Sequence, residues 1–129
     1  MNIHSIMRED PNGSELVDFA EQKAIQMVKS GLTRSQIRSI FTEVRRIESL
    51  WENEARKGDA LRRLNMLKPK LDYQTSCEEK VRDLRDVLIE AINEVNSAKA
   101  GDEQDRCFKR FVDLFEAILA YHRAKGGKN

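Results

Sequence analysis

The stretch LTRSQIRSIFTEVRRIESLW, Leu32–Trp51, decides how the rest of the chain is read. Thr33 and Gln36 stand as T-x-x-Q, the spacing at which a hydroxyl caps a helix while the amide reaches back to the capping residue's own N–H. Leu32 and Ile37 flank the pair where a hydrophobic staple closes. From there Ile37, Ile40, Phe41, Val44, Ile47 and Trp51 recur at three- and four-residue spacing, one stripe of an α-helix. At about 100° per residue, Arg34, Arg38 and Arg45 fall beside that stripe within about 40° of one another, along roughly 16 Å of helix. The spacing predicts an amphipathic helix with a basic edge, running from Thr33 to a stop at Gly58.

Outward from this helix the same period continues. Toward the N-terminus, Ser14 is placed to cap a helix with Leu16, Phe19, Ala20, Met27 and Val28 on one face, ended by Ser30 and Gly31. Residues 1–13 lack periodicity and read as a flexible arm. Toward the C-terminus, Asp59 opens a shorter helix with Leu61, Leu64 and Leu67, and Pro69 predicts a break or kink before Lys70, Leu71 and Tyr73. Ser76 and Glu79 form a second capping box, S-x-x-E, ahead of Val81, Leu84, Val87, Leu88, Ala91, Ile92 and Val95, with Asp83, Asp86, Glu90 and Glu94 outward. A last helix from Asp102 carries Cys107, Phe108, Phe111, Val112, Phe115, Ile118, Leu119 and His122 on one face and Leu114, Ala117 and Tyr121 on a second. Two apolar sides mean a helix central to the bundle or buried against another chain. Gly126 and Gly127 end it. No segment has strand period, so the fold class is all-α: a single-domain bundle of about five helices over residues 14–129.

Composition agrees. The chain of 129 residues is 40% hydrophobic and 35% charged, with only two Pro and six Gly, against a usual charged share of about 25%. Such a composition fits neither a disordered tail nor a membrane protein, and no run approaches the roughly 18 apolar residues of a membrane span. The N-terminus has no signal-peptide core, so a cytoplasmic protein is expected. Cys77 and Cys107 offer no CxxC pairing and read as two half-buried thiols.

The usual signatures of catalysis are missing. Gly126-Gly127 follows a helix rather than opening one, so it is no phosphate-cradling loop. His4 and His122 have no second ligand at helical spacing, which leaves no metal site and no cofactor site. The acidic pairs Glu78-Glu79 and Asp102-Glu103 sit at helix starts, where the macrodipole favours them. The serines lie at caps or polar faces with no triad around them. A non-enzymatic role is expected.

Charge carries more information. The net charge is only +1, yet residues 32–75 hold 10 basic against 6 acidic residues and 106–129 hold 6 against 2, while 76–105 hold 4 against 9. The basic stripe of Arg34, Arg38 and Arg45 continues through Arg46, Arg62, Arg63, Lys68 and Lys70, and a terminal cluster adds Arg123, Lys125 and Lys128. Cations on rigid helices track a phosphate backbone at low ordering cost. Two other readings stay open: a helix-turn-helix DNA reader across the Ser30-Gly31 turn, and a homodimeric helical adaptor using the last helix.

Three segments, GLTRSQIRSIFTEVRRIE (Gly31–Glu48), LNMLKPKLDYQ (Leu64–Gln74) and FEAILAYHRAKGGKN (Phe115–Asn129), resemble in order and spacing the small helical subunit of the type III-A CRISPR-Cas effector, the Csm complex. The resemblance implies a non-catalytic bundle stacked in several copies along the inner side of a filament, where it lines the groove holding guide RNA and target RNA. RNA cleavage then belongs to the backbone subunit beside it, and DNA cleavage and cyclic oligoadenylate synthesis to the large subunit. Matching positions are Arg38, Lys68, Lys70, Arg123, Lys125 and Lys128. Cys77 departs from the family pattern, which has arginine at that position, and this shifts weight toward Arg62, Arg63 and Lys70.

Overall fold

A computed structural model describes residues 2–129. The capping box at Thr33 forms: its hydroxyl accepts from the Gln36 N–H at 3.2 Å, and Gln36 Oε1 accepts from the Thr33 N–H at 3.0 Å. The helix it opens, α3, spans Arg34–Trp51. Leu32 and Ile37 are fully buried at its start, as a staple requires. Before it lie α1 (Ile3–Arg8) and α2 (Ser14–Ser30); after it come α4 (Lys57–Cys77), α5 (Arg82–Ser97) and α6 (Asp102–Ala124). Among the described residues there is no strand, and the molecule is a single all-α bundle.

Six local expectations change. The N-terminal arm is helical: Ile3, Ile6 and Met7 are buried in α1, which packs against α5 and α6 and is tied there by Arg8 to Glu103 at 2.7 Å. Six residues give too short a pattern for periodicity to register. Ser14 does not cap α2; Gly13, at φ 78°, turns the chain so that the buried Asp10 carboxylate accepts from the Leu16 N–H at 2.8 Å and the Glu15 N–H at 3.3 Å. Helix α3 stops at Trp51 rather than Gly58, because Asn53 turns extended and offers its carboxamide to the Ala55 N–H at 3.0 Å, starting a 3-10 turn. Gly58 and Asp59 instead lie in the first turn of α4.

Pro69 does not break the chain: α4 runs through it to Cys77. An internal proline costs about 3 kcal/mol, and burial of Leu64, Leu67 and Leu71 on either side of it, against α3 and α5, outweighs that. Because α4 reaches Cys77, Ser76 belongs to its last turn and donates to the Tyr73 carbonyl at 2.6 Å, so the second capping box does not form. A 3-10 turn, Glu79–Val81, leads into α5 instead.

The core gathers around α6, which contacts α1, α2, α3 and α5. Phe111, Leu114, Phe115, Ile118 and His122 are all fully buried within the chain. Phe115 meets Phe41 edge to face at 5.0 Å, and Phe108 stacks on Trp51 at 4.1 Å between centroids. These two pairs fix α3 along α6, each contributing about 0.5–1.5 kcal/mol beyond area burial.

Candidate nucleic-acid interface

With its apolar stripe held between α4 and α6, α3 turns its other side to solvent. Its exposed residues are Ser35, Arg38, Ser39, Thr42, Arg45, Arg46 and Ser49, a face of guanidinium and hydroxyl groups with no carboxylate. The two glutamates that flank it, Glu43 and Glu48, are half-buried and paired. The interleaved hydroxyls were visible in the sequence, but only the burial pattern singles them out as the companions of the arginines.

On the α6 side of this ridge is a groove of about 320 Å³ in which Arg34, Arg38, Arg45 and Arg123 stand over a floor of Ile37, Phe41, Leu119 and Ala120. The four arginines differ in their freedom. Arg45 is held by Glu48 and Glu116, each at 2.7 Å, and lies over the Phe41 ring at 4.7 Å; the two carboxylates raise its already high pKa. Arg34 Nε donates to the Gly127 carbonyl at 2.7 Å, and its backbone N–H to Lys128 O at 2.6 Å. The chain's end therefore folds over the start of α3 and brings Lys128 to this side. Arg38 and Arg123 are exposed and make no ion pair among the described residues.

On the α4 side, Arg46 and Arg63 both approach Glu43, at 3.6 and 3.9 Å, and Lys70 shares a second hollow with Arg46. Arg62 is exposed further along α4. Lys68 stands apart, half-buried on the flank of α4 that meets α5 through Asn65 and Asp72. Lys125 also stands apart, paired to Glu21 of α2 at 3.0 Å. Six of the basic residues expected from the sequence thus line the two hollows beside α3 (Arg34, Arg38, Arg45, Arg46, Lys70 and Arg123), Arg63 and Lys128 reach α3 through Glu43 and the Arg34 N–H, and Arg62, Lys68 and Lys125 do neither.

A different surface, away from the helices that α3 packs on, is acidic. A hollow between α1, α2 and α5 is bordered by Asp83, Asp86 and Glu90, with Lys23. Among the described residues no cluster of His, Cys, Asp and Glu is arranged to hold a metal ion, and no helix is long and apolar enough to cross a membrane. Cys107 is buried, which pushes its thiol pKa up, while Cys77 is exposed at the end of α4.

A family model described as Csm2 Type III-A matches residues 10–128, from the Asp10 cap of α2 through the tail that closes over α3. The chain belongs to this family. It is thus a small subunit of a type III-A CRISPR Csm complex, and its partners include the other subunits of that effector. No curated protein and no solved structure matches it. Within this Csm2 chain the matched span contains α2–α6 and hence both hollows beside α3, whereas α1 lies before it.

Proposed function

We propose that this chain is a non-catalytic RNA-holding subunit that grips the sugar-phosphate backbone of guide and target RNA through the solvent face of α3 and the arginine groove beside it. The observation that carries this reading is the composition of that face, where every exposed residue is Arg, Ser or Thr and two cations facing the groove, Arg38 and Arg123, are unpaired. Arginine takes phosphate oxygens in pairs, and serine and threonine hydroxyls suit phosphates and 2′-hydroxyls. The wide minor groove of A-form RNA offers those groups without requiring that bases be read. Copies of the chain stack along the effector, the acidic α2–α5 side of one meeting a basic surface of the next in an open, head-to-tail series.

Two observations weigh against the rival readings. A helix-turn-helix reader presents the N-terminal residues of its second helix to DNA, and here the Gly127 and Lys128 carbonyls cover Arg34 at that end. A dimeric adaptor built on α6 needs an apolar side of that helix outward, and its large apolar residues are buried or half-buried within this chain.

Charge reversal tests the proposal. Arg38→Glu with Arg123→Glu removes two unpaired cations from one groove, and the matched control, Lys99→Glu with Arg106→Glu, reverses two exposed cations in the α5–α6 connection and the first turns of α6, Arg106 lying roughly 25 Å from Arg123 by helix rise. The groove variant is expected to bind RNA at least ten-fold more weakly and to show a shallower dependence of affinity on salt. The control is expected to keep both, and neither should shift thermal stability beyond the roughly 0.5 kcal/mol per site of ordinary surface changes. Equal losses in the two variants would reduce the arginine groove to a solvated surface.

A further inference from the structure

Among the eight aromatic residues only Tyr73 is exposed, at 71%, whereas Trp51 and all five phenylalanines are buried and Tyr121 is half-buried. The ring stands beside a hollow of about 320 Å³ between the end of α4 and the start of α3, a size at the lower end of ligand clefts. Around it are the hydroxyls of Ser35 and Ser39 and the side-chain amides of Gln36 and Gln74. Ser39 and Gln74 also border the neighbouring hollow that holds Arg46 and Lys70. Lys70 makes no ion pair among the described residues and lies one helical turn before Tyr73, a spacing that brings two side chains to within about 5–6 Å at Cβ. An open aromatic face, polar groups at its edge and a free cation one turn away together make a nucleotide-sized unit.

We infer that Tyr73 and this hollow form a stacking site for an unpaired nucleobase of bound RNA, with Lys70 and Arg46 holding its phosphate. The inference rests on the backbone-gripping function proposed for α3, because Ser35 and Ser39 belong to both surfaces. Charge complementarity favours RNA over a protein partner: Lys70, unpaired among the described residues, borders the adjoining hollow with Arg46, and Glu78, the one carboxylate lining the Tyr73 hollow itself, lies 4.0 Å from Lys80 Nζ. Stacking on an aromatic face is indifferent to base identity, so the site adds affinity for unpaired positions without adding sequence preference. Pro69 contributes indirectly. Had it broken α4, Tyr73 would not extend the helix face that carries Lys70.

The test uses the full chain and two RNA probes, a single strand carrying 2-aminopurine and the same strand in a duplex. Stacking on Tyr73 is expected to quench the single-stranded probe for the natural chain and for Tyr73→Phe. Tyr73→Ala is expected to lose the quench and to bind the single strand about five- to a hundred-fold more weakly. Its duplex affinity should stay within two-fold and its salt dependence should not change. If Tyr73→Ala quenches and binds like the natural chain while Arg38→Glu with Arg123→Glu still weakens both probes, the nucleobase site is overturned and the backbone grip stands. If the arginine reversals weaken neither probe, both are overturned. Loss of association with other Csm subunits at unchanged quench would assign Tyr73 to a protein contact and overturn the site as well.

Discussion

Gly127 has no room for a side chain. A Cβ there would lie 2.1 Å from His122 Cε1 and 2.3 Å from Nδ1, and the ring has nowhere to retreat because it is fully buried with Nε2 2.7 Å from the Leu32 carbonyl. That contact makes Nε2–H the donor, and Nδ1 is buried against the glycine with no partner among the described residues. The chain's last turn is thus seated on one imidazole, and from that seat it satisfies the Arg34 N–H, one of the donors that α3 leaves unpaired at its start. Gly127→Ala should unseat it. Overpacking of this kind costs about 1–3 kcal/mol, and amide exchange should find the Arg34 N–H losing protection while the interior of α3 keeps its own. Unchanged protection of Arg34 would mean that the tail accommodates the methyl group. None of this was legible in the sequence, where Gly126-Gly127 reads only as a helix stop and His122 as an inward residue. The Thr33 box was legible because both partners lie within four residues, whereas the Asp10 cap of α2 depends on a positive φ at Gly13 and on Arg110, 100 positions away.

At the scale of elements, Asp105 joins three helices. From α6 its carboxylate accepts from Trp51 Nε1 of α3 at 2.9 Å and from Lys57 Nζ of α4 at 3.0 Å. Burial acts to raise its pKa, but those two hydrogen bonds and the Lys57 charge outweigh it and hold the carboxyl below the usual range. A carboxylate depressed in the folded state stabilises above its unfolded pKa, and that contribution disappears as pH falls through the folded value. Asp105→Asn keeps an acceptor for Trp51 and removes the charge. It should therefore melt below the natural chain at pH 7, with the gap closing as pH falls below about 4. A gap independent of pH would assign the effect to packing. Element boundaries show where sequence reasoning fails. The helical period was readable in all five long helices because each buries a continuous apolar stripe. The passage of α4 through Pro69 was not, since the local cost of proline is overruled by leucines packed against helices distant in the sequence.

For the whole molecule, the arrangement separates what holds the fold from the surface proposed to hold RNA. The sequence groups Arg34, Arg38 and Arg45 along one edge of α3, and they line one groove in the fold, because helix geometry alone sets that spacing. It could not reveal that Arg45 is neutralised by Glu116, 71 positions away, or that Arg34 is engaged by the tail, because those pairs exist only once α6 lies along α3. In the proposed RNA grip the weight therefore falls on Arg38 and Arg123, while stability is concentrated around α6. Helix α1 lies on the core side of this division, packing on α5, α6 and α2, whereas α3 packs on α4 and α6. Ile6 is fully buried there, in a helix that precedes the family match. Ile6→Ala should cost about 2–5 kcal/mol, the usual range for emptying a core isoleucine site, as measured by urea unfolding. RNA affinity and its salt dependence, measured well below the unfolding midpoint, should stay those of the natural chain, since no cation of the groove is carried by α1 or touched by it. If Ile6→Ala left stability intact, α1 would be an appendage rather than part of the core. If it weakened RNA binding in chains that remain folded, α6 would be transmitting the core's packing to Arg123, and fold and grip would have to be treated as one coupled unit.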